Sequence, residues 1–213
     1  MLQIAYNRTT RTEKPRYIVI HTTGNPRRGA DARAHFDYWN GKNVGQSADF
    51  VVDDKEALQI NDFSKYYTWH CGDGKGRYGI TNSNSIGIEI CVNQDGDFEK
   101  ALENAVELVQ RLKVETGITE VVRHYDASRK NCPAELSKDN WNEWYKFLDC
   151  VNHPKVQELT SINDIVWELS QRELANGGKV IGDVELWLKK LNADVNVYWF
   201  ARKIVQYLRE KRV

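Results

Sequence analysis

Up to about residue 151 the chain alternates short β-branched runs with stretches whose apolar residues recur at helical spacing, which predicts strands interleaved with helices. "RYIVIHTTG" (16–24) is a β-branched run closed by turn residues and reads as a buried strand. "GADARAHFDYWNG" (29–41) sets Ala32, His35, Phe36 and Trp39 on one face of an amphipathic helix. "ADFVVDDKEALQIN" (48–61) reads as strand, Asp-Asp-Lys turn and strand, hence a hairpin. "YYTWHCGDGKGRYG" (66–79) is a strand end running into a glycine-rich loop. In "SNSIGIEICVNQDGDF" (83–98) the alternation is strict: Ile86, Ile88 and Ile90 point one way, Gly87, Glu89 and Cys91 the other.

The stretch 97–117 has apolar residues at 98, 101, 102, 105, 106, 108, 109 and 112 and a glycine stop, the clearest helix in the chain. "EVVRHYD" (120–126) reads as a short strand, and "SKDNWNEWYKFLDCV" (137–151) as a helix opening on an N-cap signature. The pattern lapses around "NHPKVQELT", which divides the chain into a domain at 1–152, a linker at 153–160 and a helical module at 161–213. In that module a Ser-x-x-Asp capping signature and two further amphipathic stretches predict three short helices. Its aromatics, Trp167, Trp187, Tyr198, Trp199 and Tyr207, would mostly form its own core. The fold class is therefore α/β with a small all-α appendage.

Composition narrows the partners. The 213 residues are 41% hydrophobic and carry seven tryptophans, enough for a substantial core, and the formal net charge is zero. A neutral chain has no electrostatic footprint for nucleic acid or an anionic membrane. The start lacks the basic and apolar segments of a secretory signal, and no run reaches the roughly 18 apolar residues of a spanning helix. A protein made in the cytoplasm is expected, with Cys71, Cys91, Cys132 and Cys150 as thiols.

Candidate chemistry gathers at strand ends. His21 closes the first strand and His124 the "EVVRH" strand, with Cys132 eight residues later on a loop. Two imidazoles and a thiolate suit zinc and leave a fourth position open, although a lone histidine after an apolar strand is in most cases a hydrogen-bonded structural residue. Glu89, a carboxylate on an otherwise apolar strand, is either the general base of such a site or the partner of a cross-sheet cation. Lys130 either supplies an ammonium to a developing oxyanion or is a solvated loop residue.

"YIVIHTTGNP", "WHCGDGKGRYGITNSNSIGIEICVN" and "VVRHYDASRKNCP" together resemble the zinc-dependent type-2 N-acetylmuramoyl-L-alanine amidases, in order over about residues 15–148. The likeness is greatest to bacteriophage and prophage endolysins of Gram-positive, bacillus-like and clostridial hosts. It implies a central mixed β-sheet flanked by helices, with Zn2+ held by His21, His124 and Cys132. It further implies Glu89 as base, Lys130 beside the oxyanion and His70 as a cleft residue that binds substrate. One departure stands out: "SADFVV" puts Ala48 and Asp49 where many relatives carry a histidine and the phage lysozyme-amidases a catalytic tyrosine.

The implied reaction is hydrolysis of the amide between N-acetylmuramic acid and the L-alanine of the stem peptide of bacterial peptidoglycan. An endolysin of this kind waits in the host cytoplasm until a holin-type pore releases it to the wall. The C-terminal module resembles helical tails of clostridial endolysins and is expected to bind cell wall, with dimerisation or stabilisation as alternatives. Two other readings stay open: a non-catalytic peptidoglycan-recognition protein, and a cytoplasmic amidase that recycles muropeptides. Oligomeric state is not legible.

Overall fold

The structure, a computed structural model, describes residues 2–153, all within Met1–Pro154, the first of two compact units of the chain. The helical module expected at 161–213, and the linker beyond His153, lie outside the described residues. The elements are β1 (Arg8–Thr10), β2 (Tyr17–Thr22), α1 (Ala32–Gly41), β3 (Phe50–Val52), β4 (Ala57–Gln59), β5 (Tyr66–Thr68), β6 (Ser85–Ile90), α2 (Phe98–Thr116), β7 (Glu120–Arg123), α3 (His124–Ser128) and α4 (Lys138–Asn152).

Five strands form the central sheet in the order β4-β3-β6-β2-β7. β3, β6, β2 and β7 run parallel and β4 is antiparallel at the edge, so the sheet is mixed, as the resemblance implied. The β-branched richness of β2 and β6 has a cause: both faces of the sheet are covered. Ile18, Ile20, Ile86, Ile88 and Ile90 meet Ala105, Val109 and Leu112 of α2 and Trp144 and Phe147 of α4 on one face. On the other, Val51 and Cys91 pack with Ala32, Phe36 and Trp39 of α1, while Val19 packs with Cys71 and Ala127. The odd-numbered positions of β2 and β6 thus face α1 and the loops, and His21 and Glu89 are among them.

Local chemistry sets the ends. Asp31 caps α1 by accepting from Ala34 N at 2.9 Å, and Asp97 caps α2 by accepting from Lys100 N at 3.1 Å. Gly117 ends α2 in the left-handed conformation, φ 74°, where its lack of Cβ removes the steric penalty.

One strand was not anticipated and two local expectations need correction. β1, with no apolar residue to mark it, pairs with β5 in a separate two-stranded sheet. The strand expected over 120–126 stops at Arg123, because Asp126 reaches back to accept from Arg123 N at 2.9 Å and starts a helix. Ser137 does not cap α4: its hydroxyl donates to Ala134 O, and Asp139, Asn140 and Trp141 have left-handed φ before the regular helix begins. No helix among the described residues is long and apolar enough to cross a membrane.

Candidate metal centre

The centre lies at the C-terminal ends of β2 and β7, where parallel sheets leave a crevice. β2 and β6 pair in parallel with His21 opposite Glu89. On the other side β7 pairs with β2, and the Asp126 cap turns the chain immediately after Arg123, making His124 the first residue of α3. The turn is held by a bidentate pair, Arg123 Nη2 to Asp126 Oδ1 at 2.6 Å and Arg123 Nε to Asp126 Oδ2 at 2.9 Å. The following loop folds back so that Tyr125 N donates to Cys132 O at 2.9 Å, which returns the thiol to the two imidazoles.

His21 Nδ1 and His124 Nδ1 lie 3.0 Å apart, and Cys132 Sγ lies 3.7 Å from His21 Nδ1. The three donor atoms all fall within 4.8 Å of one another, and the three side chains are buried. Tetrahedral zinc with ordinary bond lengths separates two nitrogens by about 3.3 Å and a nitrogen from a sulfur by about 3.6 Å. The donor set therefore fits a zinc-sized cation in both chemistry and spacing. The outer nitrogens are engaged as well: His21 Nε2 is 3.0 Å from His70 Nδ1, His70 Nε2 is 3.1 Å from Ser85 Oγ, and His124 Nε2 is 2.7 Å from Asp73 Oδ1.

Burial keeps the imidazoles neutral and therefore able to ligate. It lowers His21 well below the ordinary histidine range, helped by the neighbouring His70, His124 and Lys130. It pushes His70 down to about 3, and lowers His124 although Asp73 pulls the other way. The Cys132 thiol is pushed up to about 12, first by burial and then by the charge of Glu89. With no cation at hand that sulfur keeps its proton at neutral pH.

The centre opens into a cavity of about 490 Å³ whose walls include Glu89, Lys130, Trp69 and Tyr38. Glu89 is partly buried, and its Oε2 has no hydrogen-bond partner among the described residues. Burial pushes its carboxyl up to about 8, against the opposing pull of the Lys130 ammonium. Lys130 is exposed at the rim.

His21, His124, Cys132, Glu89 and Lys130 are thus brought to one cavity, as is His70. His70, however, is 8% exposed and has protein partners at both ring nitrogens, so it has no free nitrogen to offer a substrate. Asp49, at the position of the departure noted above, is fully buried and accepts from Asn61 Nδ2, Thr68 Oγ1 and Gly87 N at 2.6, 3.0 and 2.8 Å. It braces strands behind the site. Sequence reasoning missed Asp73 and Ser85; the signal available for Asp73 was its place three residues after His70 in the same glycine-rich loop.

The profile described as N-acetylmuramoyl-L-alanine amidase matches residues 11–135, more than half of the chain. The N-acetylmuramoyl-L-alanine amidase CwlH of Bacillus subtilis (strain 168) is 40% identical over 150 residues, spanning 70% of this chain and 58% of that protein. XlyA of the same strain, also an N-acetylmuramoyl-L-alanine amidase, is 42% identical over 142 residues, or 66% of this chain and 46% of that protein. The chain spans about half the length of these curated relatives. The structure of the catalytic domain of XlyA superposes with a TM-score of 0.61 at 38% identity, covering 70% of this chain and 95% of that one. A mutant endolysin from Bacillus subtilis gives a TM-score of 0.61 at 40% identity over 71% of this chain and 99% of that one.

Proposed function

The chain belongs to the N-acetylmuramoyl-L-alanine amidase family, and on that premise we propose that it is a zinc-dependent hydrolase of bacterial peptidoglycan. It cleaves the amide between N-acetylmuramic acid and the L-alanine of the stem peptide and acts as a lytic endolysin. The observation that carries this reading is the convergence of His21 Nδ1, His124 Nδ1 and Cys132 Sγ beside an unpartnered Glu89 oxygen in one open cavity.

His21, His124 and Cys132 would hold the zinc, which supplies Lewis acidity to the scissile carbonyl and makes the attacking water more acidic. Glu89, whose basicity burial raises toward neutral pH, accepts the proton of that water and returns it to the departing alanine amine. Lys130, at the rim, places its ammonium near the negative charge that develops on the carbonyl oxygen. The cytoplasmic holding of the enzyme, its release through a holin-type pore and wall binding by residues 161–213 belong to the same proposal.

Digestion of purified Gram-positive cell walls tests it. New amino groups should appear without new reducing sugars, and a chelator should stop their release. Wall binding without any release of amino groups would favour a recognition protein instead. Cleavage confined to soluble muropeptides would favour a recycling amidase.

A further inference from the structure

The two histidines of the centre meet through their Nδ1 atoms, and each sends Nε2 to a partner from one loop. We propose that the segment "WHCGDG" (69–74) is a positioning device that, through His70 and Asp73, fixes which ring nitrogen His21 and His124 turn to the metal. This rests on the metal reading given above and adds residues that reading does not use.

The directions of the hydrogen bonds follow from groups that can only accept. Thr81 O is a carbonyl, so the Ser85 hydroxyl within bonding distance of it must donate. Ser85 Oγ then accepts at 3.1 Å from His70 Nε2–H, which leaves His70 Nδ1 without a proton. That atom accepts at 3.0 Å from His21 Nε2–H, and His21 Nδ1 keeps its lone pair for the centre. Asp73, an ionised carboxylate, likewise only accepts, so His124 donates from Nε2 at 2.7 Å and its Nδ1 is also free. Two chains of different length end on obligate acceptors and give both imidazoles the same tautomer. Partners of this kind around metal-ligating histidines typically contribute 10–100-fold to metal affinity.

The loop is built to hold these partners in place. Asn82 Oδ1 accepts from His70 N at 3.0 Å and from Cys71 N at 2.8 Å. A Cβ on Gly74 would lie 2.0 Å from Ala127 O, so only glycine lets the loop backbone rest on α3, the helix that begins with His124. A Cβ on Gly87 would lie 2.6 Å from the His70 ring, so glycine there makes the seat of that ring. Each half of the device therefore has a bare backbone position against which a partner is pressed.

Zinc affinity, measured on the full chain by competition with a chromophoric chelator, tests the proposal together with long-range 15N–1H correlation spectra of the zinc-loaded protein. Wild type should bind one equivalent and show His21 and His124 protonated at Nε2. Asp73→Ala and Ser85→Ala should each weaken zinc binding at least tenfold, whereas Asp73→Asn, which still offers an accepting oxygen, should recover most of the loss. Asp73 is half-exposed, so its variants remove no core packing, and a circular dichroism spectrum matching wild type checks the fold. If wild type binds zinc and both alanine variants bind within threefold of it, this inference alone is overturned. Nδ1 protonation in the loaded wild type would overturn it as well. Failure of wild type to bind zinc at all would overturn the metal reading and this inference together.

Discussion

His21 and Glu89 stand directly opposite one another in the parallel pairing of β2 and β6, on the face of the sheet turned away from α2. A candidate metal donor and a carboxylate held on adjacent strands cannot drift apart without breaking the sheet. The distance between them is therefore a property of backbone pairing rather than of a loop.

That pairing separates the role of Glu89 from metal binding. Glu89→Gln keeps the size and shape of the side chain and removes its basicity. Amide hydrolysis should fall by about 10²–10⁴-fold while zinc stoichiometry stays at the wild-type value. Amino-group release and metal content, measured on the same preparation, check both halves.

The same carboxyl should leave a mark on stability. In the metal-free protein Glu89 titrates near 8 because burial disfavours its charge, against an ordinary value of 4.5. Between about those two pH values the folded state holds a proton that the unfolded chain has released, so this group makes stability fall as pH rises. Metal-free Glu89→Gln should therefore gain melting temperature relative to wild type as pH is raised from about 5 to about 8, with no further gain above. Calorimetry across that range checks the sign.

Metal uptake should release protons. The Cys132 thiol, pushed up to about 12, is protonated in the metal-free protein at neutral pH, whereas a coordinating thiol is deprotonated. The imidazoles are already neutral and contribute none. At least one proton per zinc should appear at pH 7, since a cation beside Glu89 also favours loss of the proton that carboxyl holds, and titration calorimetry in buffers of different ionisation enthalpy counts them. Cys132→Ser should lower the count by about one proton and weaken binding.

Gly87→Ala should destabilise the protein by about 1–3 kcal/mol, because the new methyl meets a ring held at both nitrogens. Gly41→Ala, where nothing lies within 4 Å, should change stability by less than about 0.5 kcal/mol. Urea unfolding of the two variants provides the contrast.

Much of this was legible in the chain because the two faces of the sheet impose different demands. Ile86, Ile88 and Ile90 advertise one buried face, and Glu89 between them marks the other as chemical. The face of α1 was equally plain: Ala32, His35, Phe36 and Trp39 are its buried residues. What stayed hidden depended on contacts between distant segments. Asp73 reads as an ordinary loop aspartate until folding brings it to His124, 51 residues away. His70 looked available to a substrate because its partners, His21 and Ser85, come from two different strands. β1 is Arg-Thr-Thr, with no hydrophobic pattern at all, and forms only because β5 offers it an edge.

The strand order β4-β3-β6-β2-β7 puts β2 between two strands that are synthesised long after it. His21 waits for His124, 103 residues further on, and for Cys132, 111 residues further on. Contacts of such separation form slowly, since a long loop must close before they bring any gain. Until Cys132 has been made the three candidate donors cannot meet, so a chain cut short before that residue carries the parts of the centre unassembled. The topology thus ties assembly of the centre to a late stage of synthesis, ahead of any control that acts on the finished chain.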